Sequence, residues 1–266
     1  MKNPLFFSFL LFSIVLTAQD FKLEKAVNDI KAKIVKTENA ERLKWLDSLT
    51  KLTEYNSDFK YDSIVSETIQ YALQLDSINL ATIQTSNLIY FKNNISIKPA
   101  EGLQIFKNFL QKDTLLTSNY ALAQFYLNGA DSYYFLNEYE TAIKNYEIAK
   151  KYAKESGNER LLALANLYVG YTYSDIGDFA KGSIALQDAE KLFQKEKDTF
   201  NIIAAKNSLA ILYSQNAFYE VAEQERQEAI ILAKKLTVTE TWCLYMQIKR
   251  KILEEQEKEM SVLLIY

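Results

Sequence analysis

Gly170-Tyr171-Thr172-Tyr173-Ser174-Asp175-Ile176-Gly177-Asp178-Phe179-Ala180-Lys181-Gly182-Ser183-Ile184-Ala185-Leu186-Gln187-Asp188-Ala189 places small residues at 170, 182 and 189 and aromatic rings at 173 and 179. The same residue types return 40 positions away on either side. Ala130 and Ala210 flank Gly170, Tyr133 and Tyr213 flank Tyr173, and Tyr139 and Tyr219 flank Phe179. Ala142 and Ala222 match Gly182, and Ala149 and Ala229 match Ala189. A fixed period of this size is the signature of a stacked array, whose units are each too small to bury their own apolar face and need their neighbours.

Composition agrees with long helices. Six Gly and two Pro in 266 residues are few. Pro99 is the last proline, so nothing after it breaks a helix by its ring. Three regular units are expected at about 118–156, 158–196 and 199–236, each a helix, a short turn and a second helix. The turns fall at Asn137-Glu138-Tyr139, Gly177-Asp178-Phe179 and Ala217-Phe218-Tyr219, and Gly177 suits the left-handed conformation at a helix end. Ser156-Gly157-Asn158 reads as a similar stop between units.

Upstream the pattern weakens. Residues 39–116 read as two degenerate units. The first carries a Leu43, Leu46, Leu49, Leu52 stripe around Trp45, then a helix from Ser63 to Leu75 with Val65, Ile69 and Ala72 on one face. The second runs from about Leu80 to Tyr90 and from Ala100 to Leu110, with Gly102, Phe106 and Phe109 facing inward. Asn93 stands where the repeat calls for an aromatic. Residues 19–38 read as one amphipathic capping helix with Phe21, Leu23, Val27, Ile30 and Ile34 on its apolar side.

Residues 1–18 have the form of an export signal: Lys2, an almost wholly apolar Leu5 to Val15, and Leu16-Thr17-Ala18 as a small-residue cleavage site. An uncleaved anchor is the alternative, with an apolar stretch shorter than the ~20 residues of a membrane span. Gln19 stands where a lipoprotein signal needs Cys, so no lipid anchor is expected. The expected address is periplasmic or secreted. Cys243 is the single cysteine and cannot close an internal disulfide.

Between residues 118 and 236 the units resemble the tetratricopeptide repeat, a helix–turn–helix with small residues at helix crossings and aromatics wedged between. The resemblance implies an all-α, right-handed superhelical solenoid with a concave peptide- or protein-binding face. Three features depart from the family. The period is 40 rather than about 34, which is similar to the arrays of bacterial signalling proteins. Lys154, Gln194 and Lys234 stand where the family ends a unit with proline, and Arg226 occupies the site held by Tyr146 and Leu186.

Carrying the family's concave surface onto the first helices gives Gln124, Leu127, Asp131, Tyr134 and Phe135 in one unit. The next contributes Leu164, Leu167, Tyr171, Ser174 and Asp175, and the last Ala204, Asn207, Ile211, Ser214 and Gln215. The alternative for each is packing between helices. Leu127 and Leu167 sit where chaperone-binding members of the family begin a carboxylate clamp, and Asp131 would repel that carboxylate, so no clamp is expected.

Catalysis is not expected. The chain has no histidine, the commonest general base and metal ligand, and no phosphate-cradling glycine loop. Glu138, Glu140 and Glu147 lie among lysines as a solvated face. No cofactor or metal is expected. Thirty-one basic and 34 acidic residues are interleaved, net −3, without the basic face that nucleic acid requires. Residues 237–266 read as a charged helix, with Lys249-Arg250-Lys251 before Glu254-Glu255, ending in the short apolar run Val262 to Tyr266. The chain therefore reads as an exported, non-enzymatic interaction scaffold for a protein or peptide. The alternative is the truncated outer part of a membrane-spanning signalling or transcription regulator.

Overall fold

The computed structural model describes residues 23–54, 56–111 and 117–235. The export signal at 1–18, Cys243 and the charged stretch 237–266 lie outside them. The described residues form eleven α-helices and no strand. α1 spans 23–36. α2 (Asn39–Leu52), α3 (Tyr61–Gln74), α4 (Ile78–Tyr90) and α5 (Pro99–Leu110) follow. A 3₁₀ turn, Ser57–Phe59, precedes α3, and a single π turn, Phe91–Ile95, extends α4. Then come α6 (Asn119–Phe135), α7 (Tyr139–Glu155), α8 (Glu159–Asp175), α9 (Phe179–Glu196), α10 (Thr199–Gln215) and α11 (Tyr219–Lys235). Two compact units divide the chain, one up to Leu161 and one from Leu162.

From Asn119 onward the helices begin at a constant interval, at positions 119, 139, 159, 179, 199 and 219. The repeat seen in the sequence is thus two equal steps, and one kind of turn makes both. Asn137, Gly157, Gly177, Lys197 and Ala217 all adopt positive φ, between 57° and 78°. At each, the following amide donates back across the helix end: Glu138 N–H to the Tyr133 carbonyl at 2.9 Å, Asn158 to Ala153 at 3.1 Å, and Asp178 to Tyr173, Asp198 to Phe193 and Phe218 to Tyr213 at 2.9 Å. This is the six-to-one bond of the Schellman motif, which satisfies the last carbonyls of a helix. The next helix then starts at once, and a side chain caps three of those starts and that of α6. Ser118, Asn158, Asp178 and Asp198 each accept from the backbone N–H three residues on, at 2.8 to 3.2 Å.

The recurring small residues sit where the spacing implies. Ala130, Ala142, Ala149, Ala189, Ala210, Ala222 and Ala229 are all buried to 2% exposure or less. Gly170 and Gly182 are buried as well. At Gly170 a Cβ would stand 2.8 Å from the Leu186 side chain of α9, so backbone and leucine meet without a methyl between them.

In the first unit, α1 buries Val27 and Ile34 against Leu46 and Leu49 of α2 and Ile64 of α3. Burying two such side chains contributes roughly 3–6 kcal/mol, which fixes α1 on the end of the unit. Leu43 joins a second cluster with Ala81, Ile89, Phe106, Phe109 and Phe125. Phe106 is its hub, 4.7 Å from Phe125, 5.8 Å from Tyr126 and 6.2 Å from Tyr133 between ring centroids. Its ring lies against Gly129, where a Cβ would collide with it.

Asn93, the residue that breaks the aromatic register, sits in the π turn and is buried. Its amide donates to the Asn128 carbonyl at 2.9 Å and its oxygen accepts from the Ser132 hydroxyl at 2.9 Å. The repeat degenerates there because polar side chains, not a ring, join the end of α4 to α6.

In the second unit, Leu186, Ala189 and Phe193 of α9 pack with Ala163 and Leu167 of α8 and Ile202, Ala205, Leu209 and Leu212 of α10. Phe179 lies 5.8 Å from Tyr213 and 5.4 Å from Phe218 between ring centroids. Arg226 points outward and pairs with Glu223 at 2.8 Å, its side chain 47% exposed. Where Tyr146 and Leu186 are buried, α11 presents a solvated ion pair.

Candidate functional site

The first helices α6, α8 and α10 are buried on several sides, and this decides which of the expected binding residues reach solvent. On α6, Leu127 is 5% and Asp131 7% exposed, so neither lines an open surface. On α8, Leu167 is 2% exposed and belongs to the core of the second unit. These three assignments are corrected by the structure. A helix packed between neighbours puts its leucines inward at more registers than a single stripe allows.

The other expected residues divide between surface and partial burial. Phe135 is 44% exposed at the end of α6, and the Tyr134 ring packs 5.5 Å from it and 5.8 Å from Tyr139. Gln124 is half-buried, and its Oε1 is buried with no partner among the described residues. In the second unit Leu164 packs half-buried on the core, and Ser174 donates to the Gly170 carbonyl at 2.9 Å. Tyr171 hydrogen-bonds Ser208, and burial raises its pKa against that bond. Asp175 is exposed at the end of α8. On α10, Ala204 and Ser214 are half-buried, and Asn207, Ile211 and Gln215 are exposed. Asn207, Ile211, Ser214 and Gln215 are spaced to share one side of α10.

Two polar constellations not singled out from the sequence join these helices. Asp131 accepts a 2.6 Å hydrogen bond from the Tyr146 hydroxyl inside the first unit. Burial pushes its carboxyl up to about 7, against the pull of that hydrogen bond. On α4, burial raises the pKa of Tyr90, and the charge of Asp131 adds to the rise. In the second unit Lys206 of α10 lies among Glu190 of α9 at 2.8 Å and Glu225 and Glu228 of α11 at 3.0 and 2.7 Å. Burial alone would lower the lysine's pKa, but the three carboxylates together hold it above its usual value. The one signal for Lys206 is a cation between Ala205 and Leu209 at a core register. It acts as a clasp joining three helices around one charge.

Polar stitches also run between the first helices of the first unit. Gln84 donates to Asp47 at 2.8 Å, and Asn128 donates to the Ser86 carbonyl and hydroxyl at 3.0 and 2.8 Å. Among the described residues no group of three or more His, Cys, Asp or Glu is arranged to hold a metal. None of the described helices is long and apolar enough to cross a membrane.

No protein-family model matches the chain, and no curated protein matches it. Among solved structures it is similar to BtubC (BKLC) from P. vanneervenii, with a TM-score of 0.67 at 17% identity over 79% of this chain and 90% of that one. At that identity the likeness is one of fold, and with the consecutively packed helices above it makes this chain an all-α protein of helical-repeat-like architecture.

Proposed function

We propose that the chain is a tetratricopeptide-like solenoid, exported by the signal at residues 1–18, that works as a non-enzymatic scaffold for a protein or peptide partner. The phased small residues, all buried, support the family reading, and the fold likeness to BtubC is consistent with it. The observation that carries the binding reading is Ile211. It is 56% exposed on α10 between buried Ala210 and Leu212, beside the polar Asn207 and Gln215. An apolar side chain among uncharged hydrogen-bonding groups suits a peptide or helix from a partner.

The test is capture from the envelope of the exporting cell on immobilised protein, with Ile211→Asp beside wild type. A partner retained by wild type and lost by the variant, at an unchanged melting midpoint, supports the reading. Equal retention by both removes α10 as the binding surface. Export is tested on the recovered protein, whose first residue is expected to be Gln19.

A further inference from the structure

A cavity of about 210 Å³ opens between α3 and α5 in the first unit, floored by α4. Leu88 and Phe109 form its buried base, and Ile69, Leu73 and Ile105 form half-buried walls. It sits at the seam of two apolar clusters, since Phe109 belongs to one, Leu88 to the other, and Ile105 touches both. The first turns of α3 and α5 are tied by Lys92, whose ammonium reaches Glu101 at 2.8 Å and Asp62 at 3.4 Å. Further along, from Ser66 and Ile105 onward, the two helices leave the cavity between them.

The lining chemistry restricts the occupant. No charged side chain lines the cavity, so a charged group would enter without a partner. Its volume is well below the roughly 300–1,000 Å³ of sites that enclose a whole small ligand. Its mouth carries two exposed carboxamides, Gln70 on α3 and Asn108 on α5. The Asn108 oxygen accepts from Gln104 at 2.7 Å, which leaves its NH₂ to donate elsewhere.

We propose that this cavity is an anchor site for a peptide, taking one neutral apolar side chain of leucine or phenylalanine size. The peptide's own carbonyls meet the amides of Gln70 and Asn108. The proposal rests on the reading of the chain as a binding module, but it places an anchor on α3 and α5, on elements other than the one that carries Ile211.

The test is an NMR titration of the full chain with N-acetyl-leucinamide and N-acetyl-phenylalaninamide, with N-acetyl-lysinamide as the charged control. Expected are saturable shifts at the Leu88 and Ile105 methyls and the Gln70 and Asn108 side-chain amides, with Kd on the order of 1 mM for one apolar amide. The lysine amide should bind at least ~10-fold more weakly. Ile69→Trp, which fills the mouth from a half-buried position, should abolish the shifts. Gln70→Ala, at an exposed position, should weaken binding by ~3- to 10-fold with the melt unchanged. No saturation by either apolar amide overturns the site, as do equal shifts from the lysine amide. If Ile69→Trp does not fold, unaltered binding by Gln70→Ala overturns it. Since the probes are free amides, the outcome is independent of whether Ile211→Asp loses a cellular partner.

Discussion

Asp131→Asn should make the protein more stable at pH 8 and flatten its stability profile between pH 5 and 8. The folded state holds this carboxyl at about 7, whereas its ordinary value is 3.8. Between those values the unfolded chain releases the proton and the folded chain keeps it. Stability therefore falls as pH rises above about 4 and levels off above about 7. The full span corresponds to about 4 kcal/mol, as a ceiling because water can enter around the ionised form. From pH 5 to pH 8 the loss assignable to Asp131 is about 2–3 kcal/mol, nearly all of it below pH 7. Asparagine keeps an oxygen for the Tyr146 hydroxyl, now 2.6 Å from Asp131, and has no proton to lose. Urea unfolding followed by circular dichroism at pH 5, 6, 7 and 8 reads the difference directly. The gap between variant and wild type should widen from pH 5 to about pH 7, by about 2–3 kcal/mol in all, and change little from there to pH 8. Parallel curves would refute the reasoning, because the burial of Asp131 would then impose no proton linkage.

Ala189 is fully buried at a helix crossing, so Ala189→Leu should destabilise the second unit by ~1–3 kcal/mol through overpacking. An unchanged melting curve would contradict that placement. Ala217 holds a φ of 63° at the α10–α11 turn. Ala217→Gly should stabilise by about 0.5–1 kcal/mol, the relief of left-handed strain less the added freedom of the unfolded chain; a lowered melting midpoint would count against the turn geometry. Lys206→Met should destabilise by roughly 2–3 kcal/mol at pH 7, because Glu190 and Glu225 lose their shared cation. The deficit should narrow as the pH is lowered, because Lys206 holds the Glu228 carboxyl below its usual value and the stability so linked is lost on acidification in the wild type alone; melting at pH 4 and pH 7 measures it.

How much of this is legible in the sequence follows from what each signal depends on. The crossing residues repeat with fixed phase, and a backbone approach such as Gly170 on Leu186 tolerates only small side chains, so the spacing exposes them. The second rhythm, one kind of turn after each helix from α6 to α10, stays hidden because its chemistry varies. Asn137, Lys197 and Ala217 hold the same backbone conformation as Gly157 and Gly177 but do not advertise it. Which side of the first helices is open is the least legible part. α6 buries Ala121, Leu122, Ala123, Phe125, Leu127, Gly129, Ala130, Asp131 and Ser132. Such a helix has no single apolar stripe, and periodicity then cannot say which side is open. The sequence puts Asp131 on the surface because the hydroxyl that meets it, from Tyr146, comes from the next helix.

The equality of the turns has a consequence for how this chain can change length. Each helix with its reversal is one module, and the backbone joint is the same whether it lies within a pair or between pairs. A gain or loss of a single module would leave every joint intact yet exchange the roles of first and second helices in all that follows. Tyrosines that wedge would then stand where alanines must cross. Changes by a whole pair keep the roles. The chain is therefore built on one module and heritable in steps of two, so length variants among its relatives should differ by whole pairs within the regular array and by other amounts only before Asn119.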